Sequence, residues 1–224
     1  MIITSRLFWF FIISLSFVNP FSTLLAQGTI VEDKTIRDIA REELLQFLNK
    51  VPVGQEMLYG FENRDQFKSV TIGKPLQILS LSTETYSIDY ANTSMKIVPH
   101  DEWFVPLIVQ NTMKAIMTVT KHEGRLQAVD FGAKDLADEL NSFKEITTKN
   151  NSIISILRVY RLQCDFLVIS NGSVSGDQKL IIPMKSAQIA LFNDASYKSG
   201  FSEREVILLL QEKLKLLPNE ENNR

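Results

Sequence analysis

Apolar residues return every three or four positions between Thr35 and Asn49, at Ile36, Ile39, Ala40, Leu44, Phe47 and Leu48. Side chains at that spacing share one face of an α-helix, so this segment is predicted helical. Gln27 to Lys34 reads as a loose lead-in, and Pro52 and Gly54 end the helix. Asn63 is a good N-cap and predicts a second, short helix to about Val70. After the turn at Gly73-Lys74-Pro75, Leu76 to Leu81 reads as a strand, and the polar stretch Ser82 to Ser94 as a loop or weak hairpin.

The middle of the chain alternates more clearly. Trp103–Val109, Met113–Thr120 and Arg125–Phe131 read as three strands. They are joined by the turns Gln110-Asn111-Thr112 and Lys121-His122-Glu123-Gly124, and connections this short imply antiparallel neighbours. Register follows from the side-chain period of two, because a slip of one residue turns the apolar set over. A three-residue first turn pairs Val109 with Met113, Leu107 with Ala115, Val105 with Met117 and Trp103 with Val119, apolar against apolar throughout. A two-residue turn sets Leu107 against Lys114 and Trp103 against Thr118, so the three-residue turn is the expectation. Pro106 has no N–H for a ladder, which predicts an edge strand or a bulge there.

Gly132 closes this segment, and Leu136, Ala137, Leu140 and Phe143 mark one side of a helix from about Ala133 to Glu145. Ile153–Val159 and Leu162–Ile169 have the composition of strands. Asn171-Gly172 signals a turn that Ser173–Gln178 extends. Leu180–Met184 reads as a short strand, and Ser186–Phe192 fits either strand or helix. The last element is the best marked. Ser202 and Glu205 have capping-box spacing, Phe201 and Val206 can staple the entry, and Val206, Leu209, Leu210, Leu214 and Leu217 form its stripe before Pro218.

These elements predict an α+β fold: antiparallel sheet packed by amphipathic helices. A helix followed by strands occurs twice, which suggests two α+β halves, residues 27–132 and 133–218, before a polar tail at 219–224. A helix packed on an antiparallel sheet resembles the cystatin-like exported domains. That is a likeness of fold without a shared motif, so no residue role is carried over.

The first 26 residues have a different composition. Arg6 is their only charge, Leu7 to Val18 is apolar apart from Ser14 and Ser16, and small Ala26 precedes polar Gln27. That is the pattern of a secretory signal peptide, residues 1–26. The competing reading, a retained anchor over Leu7–Leu25, must absorb Asn19 and Pro20 in a run shorter than a span requires. Removing the peptide leaves no stable membrane span, and the expected location is periplasmic or extracellular. Composition is that of an ordinary folded protein, and a formal net charge of −2 lacks the basic footprint of a nucleic-acid partner. Cys164 is the only cysteine, so no disulfide forms within the chain and stability rests on the core.

Candidate chemistry is sparse. Extending the favoured register three residues beyond Trp103 and Val119 places His100 opposite His122, with Asp101, Glu102 and Glu123 beside them. Two imidazoles and a carboxylate can hold a divalent metal; if the strands fray, both histidines are ordinary loop residues. Asp101 and Glu102 suggest an acid/base pair, but adjacent strand residues point to opposite faces. Trp103 and Phe104 are candidates for a ligand platform, against the simpler reading that they pack the core. Gly172-Ser173-Val174-Ser175-Gly176 fails as a nucleophile elbow, because Val174 stands where serine is needed. Cys164 sits in an apolar strand-like run and reads as a small core residue. There is no zinc-protease, phosphate-loop or dinucleotide fingerprint. The expectation is an exported, non-enzymatic binding or interaction protein of the cell envelope or extracellular space, with a protein or ligand partner and no cofactor. The alternative is a hydrolase, with or without a metal, using His100 and His122.

Overall fold

A computed structural model describes residues 20–82, 95–144, 152–170, 179–194 and 199–217, with side chains from residue 32 onward. Eight strands, β1 (Thr71–Ile72), β2 (Leu76–Leu81), β3 (Ile97–Val109), β4 (Thr112–His122), β5 (Arg125–Gly132), β6 (Ile153–Val159), β7 (Cys164–Ser170) and β8 (Lys179–Pro183), form one sheet. The order is β5-β4-β3-β2-β6-β7-β8, with β1 paired to β3. Every pairing is antiparallel except β2 with β6. The described helices are α1 (Pro20–Lys50), α2 (Lys134–Ser142), α3 (Lys185–Phe192) and α4 (Glu203–Lys215), with 3-10 helices at Glu56–Tyr59, Arg64–Ser69 and Tyr160–Leu162. The fold is α+β, and one sheet carries strands from both segments in which a helix precedes strands. None of the described helices is long and apolar enough to cross a membrane.

Strand alternation divides the core between two faces. Trp103, Val105, Leu107 and Val109 pack with Ile36, Ala40 and Leu48 of α1. On the same side of the sheet, Leu157, Val159, Phe166, Val168 and Ile181 pack with Val206, Leu210 and Leu214 of α4. The pairings of Gln77 with both Trp103 and Ser155 put these clusters on one face. Phe104, Ile116, Ile156, Leu167 and Ile182 face the other way, where Ala137 and Leu140 of α2 cover them. Burial of each such side chain contributes roughly 1.5–3 kcal/mol, so the two faces together hold the sheet in place.

Helix α1, described over Pro20–Lys50, extends well ahead of its apolar stripe. It runs through the segment expected as a loose lead-in and through the expected cleavage point after Ala26. The 3-10 helix at Arg64–Ser69 begins where expected, with the Asn63 side chain accepting from the Asp65 N–H (3.0 Å). Ser186–Phe192, ambiguous in sequence, is helical. Residues 83–94 and 171–178, which contain the expected loop and the Asn171-Gly172 turn, lie outside the described residues.

The β3–β4 hairpin differs from expectation. Gln110 and Asn111 both take positive φ (49° and 62°), making a two-residue turn whose twist matches the strands. Leu107–Ala115, Val105–Met117 and Trp103–Val119 still pair, because a bulge at Lys114 supplies the extra residue. The expected Val109–Met113 pair is replaced by Val109–Thr112 and Ile108–Met113. Gly60 (φ 91°) lies against the Lys114 backbone, and Lys114 Nζ reaches Glu62 (3.2 Å). The bulge is thus held by the preceding segment.

Candidate functional site

Two charges interrupt otherwise apolar strands. Arg158 follows Ile156 by two residues on β6 and pairs in register with Asp165 of β7, so both face α2. Their side chains join in a fork, with Nε donating to Oδ1 (2.8 Å) and Nη2 to Oδ2 (3.0 Å). The hydrogen bonds from Arg158 to Asp165 push the guanidinium's pKa further up, against the opposing effect of burial. The guanidinium also lies over the Phe104 ring, 4.8 Å from its centroid. Glu102 extends this polar line: its Oε1 is 4.0 Å from Arg158 Nη1, and its Oε2 accepts from Tyr160 Oη (3.0 Å). Burial, together with the Glu102 charge, pushes the Tyr160 phenol up to about 12.

Beside Asp165 the sheet opens into a cleft of about 890 Å³ between α2 and α3. Asp165 and Ile182 form its floor. Asp135, Leu136, Asp138, Glu139, Ser142 and Phe143 line one wall, and Lys185, Ser186, Gln188 and Ile189 the other. The walls are tied together where the Lys185 N–H donates to Glu139 Oε1 (2.6 Å), and α3 is tied to the floor where the Asp165 N–H donates to Ser186 Oγ (3.0 Å). Burial pushes the Glu139 carboxyl above the usual carboxylate range; the Lys185 N–H opposes the shift, and the negative charge of Asp165 adds to it. Asp138 is paired with Lys134 (3.1 Å). Gln188 is only 5% exposed; its Nε2 donates to the Pro183 carbonyl (2.8 Å), while Oε1, itself enclosed, has no partner among the described residues.

Both hydroxyls of the cleft are already engaged. Ser142 Oγ donates to the Glu139 carbonyl (2.6 Å) and Ser186 Oγ accepts from backbone. No histidine lines the cleft to activate either hydroxyl. Cys164 is buried next to Asp165, and desolvation pushes its thiol up to about 12, which disfavours the thiolate.

The residues singled out in the sequence lie elsewhere. Pairing between β3 and β4 ends at Glu102–Thr120, two residues short of a His100–His122 pair. His100 instead sits 3.7 Å from Glu102 and beside the Tyr160 ring, while His122 is three-quarters exposed, pairs with Arg125 and lies 3.9 Å from Glu123. Among the described residues, which include Asp101 and Glu123, no three His, Cys, Asp or Glu side chains are arranged to hold a metal. Asp101 is exposed and Glu102 half-buried on the α2 face, so the two do not share a site. Trp103 and Phe104 are both buried, one under α1 and the other under α2. Arg158, Asp165, Glu139 and Gln188 escaped the sequence reading. A signal for the first two existed: opposite charges inside Ile153–Val159 and Leu162–Ile169, two runs that otherwise read as core. Glu139 and Gln188 sit on amphipathic helices, where polar residues are ordinary.

No family model, curated protein or solved structure matches this chain.

Proposed function

We propose that this chain is an exported, non-enzymatic protein that binds a small ligand in the cleft between α2 and α3. The observation that carries the reading is the cleft itself: about 890 Å³ between α2 and α3, with Leu136, Phe143, Ile182 and Ile189 beside the half-buried carboxylate of Glu139. The volume suits a small molecule, and the lining sets four apolar residues among eight polar or charged ones, so it offers both kinds of contact. Export is supported by the basic start, short apolar run and small residue at Ala26.

Ligand-observed NMR with a fragment library on the full chain tests this reading. Ile189 is half-exposed on the cleft wall, so Ile189→Trp should fill the space without unfolding the core. The expected result is a set of hits whose signals vanish in that variant. Hits indifferent to it would contradict the cleft. Hydrolytic turnover lost on His122→Ala would replace this reading with the enzymatic one.

A further inference from the structure

We infer that Glu139 is a proton-operated clasp between α2 and α3: it draws the cleft walls together when its carboxyl is protonated and lets them part when it is charged. The inference concerns the walls themselves and does not need a ligand in the cleft. Each wall is fastened to the sheet on its own. Asn141 ties α2 to β4 by exchanging hydrogen bonds with the Met113 backbone (3.1 and 2.8 Å). Three bonds tie α3 to β7 and β8: the Asp165 N–H donates to Ser186 Oγ (3.0 Å), the Met184 N–H to the Asp165 carbonyl (3.1 Å), and Gln188 Nε2 to the Pro183 carbonyl (2.8 Å). From wall to wall, Glu139 Oε1 accepts from the Lys185 N–H (2.6 Å). That N–H belongs to the first residue of α3, where the helix itself offers no acceptor. The bond between the walls can therefore break without disturbing either anchor.

Opposing forces meet at this carboxyl. The Lys185 N–H and the start of α3 favour its charged form. The other charges around it come from three elements. On α2 itself, Asp135 and Asp138 are exposed, and Asp138 is paired with Lys134 (3.1 Å). On β7, Asp165 is paired with Arg158 of β6 (2.8 Å), and on α3 the Lys185 side chain is exposed. Beside them β8 presents apolar Ile182, and Ser186 and Gln188 are neutral. Burial outweighs the Lys185 contacts, the Asp165 charge adds to it, and the carboxyl is held above the usual carboxylate range. The closed walls thus hold the proton more tightly than parted walls, where water reaches the carboxyl. By linkage, proton uptake favours the closed arrangement and charging favours the open one. Protonation does not cost the bond, because the carbonyl oxygen of a neutral carboxyl still accepts from the Lys185 N–H.

Amide hydrogen exchange of the full chain, read at the Lys185 N–H from pH 4 to pH 7 and corrected for the intrinsic rate, tests the clasp. Protection there is expected to fall about threefold or more as pH rises, because charging shifts the walls toward the open arrangement. Glu139→Gln keeps an acceptor for the same N–H and has no proton to lose, so its protection should stay level across the range; circular dichroism checks its fold. The Asn193 N–H, bonded to the Ile189 carbonyl (3.0 Å) at the far end of α3, is the internal reference and should keep its protection. Protection at Lys185 that stays level or rises with pH in the unaltered chain would overturn the clasp. So would an equal fall in Glu139→Gln, or a fall shared by Asn193, which would mark a general loosening of the helix. Fragment binding in the cleft is a separate readout, so a failed clasp leaves that reading standing.

Discussion

Gly60 shows how much one residue decides. Its φ of 91° lies in the region glycine tolerates best, and a Cβ there would overlap the carbonyl oxygen of Lys114 at the β4 bulge. Gly60→Ala is therefore expected to cost about 3 kcal/mol or more, seen as a large drop in Tm. Glu139 works in the opposite sense. Its carboxyl is pushed up by burial, so the folded state resists its charging, and stability falls as pH rises through and above the carboxylate range. Glu139→Gln should then raise neutral-pH stability by about 0.5 kcal/mol after allowing for solvent screening. Glu56 and Glu205 are held below the usual range, chiefly by backbone N–H groups, those of Glu56 itself and of Ser202 respectively. Their contribution is complete above the unfolded carboxylate range and is lost as pH falls through the lowered folded values. Thermal melts from pH 7 downward should show acid destabilisation that is reduced in Glu56→Gln.

At the level of elements, local rules were a good guide wherever one segment closes its own structure. The capping box at α4 was legible from Ser202 and Glu205 and is complete, with Ser202 Oγ accepting from the Glu205 N–H and Glu205 Oε2 accepting from the Ser202 N–H (2.8 Å). Ser202→Ala should cost about 1 kcal/mol, readable by urea denaturation. The β3–β4 register was legible from alternation, but the turn length was not, because a bulge can absorb a residue without disturbing the apolar pairs. Side-chain bonds between elements were invisible in sequence. Asn141 of α2 accepts from the Met113 N–H (3.1 Å) and donates to the Met113 carbonyl (2.8 Å), imitating a strand partner. Asn141→Ala leaves both groups unpaired and should destabilise by about 1–3 kcal/mol. Because α2 is also a cleft wall, the same variant should loosen the site.

The whole molecule depends on a connection that no turn signal announces. Gln77–Ser155, Ile78–Ile156 and Leu79–Leu157 pair in parallel, joining strands far apart in the chain. Alternation tells which side of each strand is buried, but not which distant strand lies beside it, so a single sheet was not distinguishable from two. The same limit hid the cleft, whose floor comes from β7 and β8 and whose walls come from α2 and α3. Arg158 links this site to the sheet's interior through Phe104 and Glu102. Arg158→Met should leave Asp165 partly buried without its fork and cost about 2 kcal/mol, moderated by residual solvent access. The claim that unites these scales is that the α2–α3 cleft is where this protein meets its ligand. Its most direct test is amide and side-chain shift mapping of the full chain with bound fragment hits. The largest shifts are expected on Leu136, Glu139, Ser186 and the Gln188 side-chain amide. Shifts centred instead on His100 and His122, or on the small hollow between Leu45 and Phe67, with Gln188 unmoved, would contradict it.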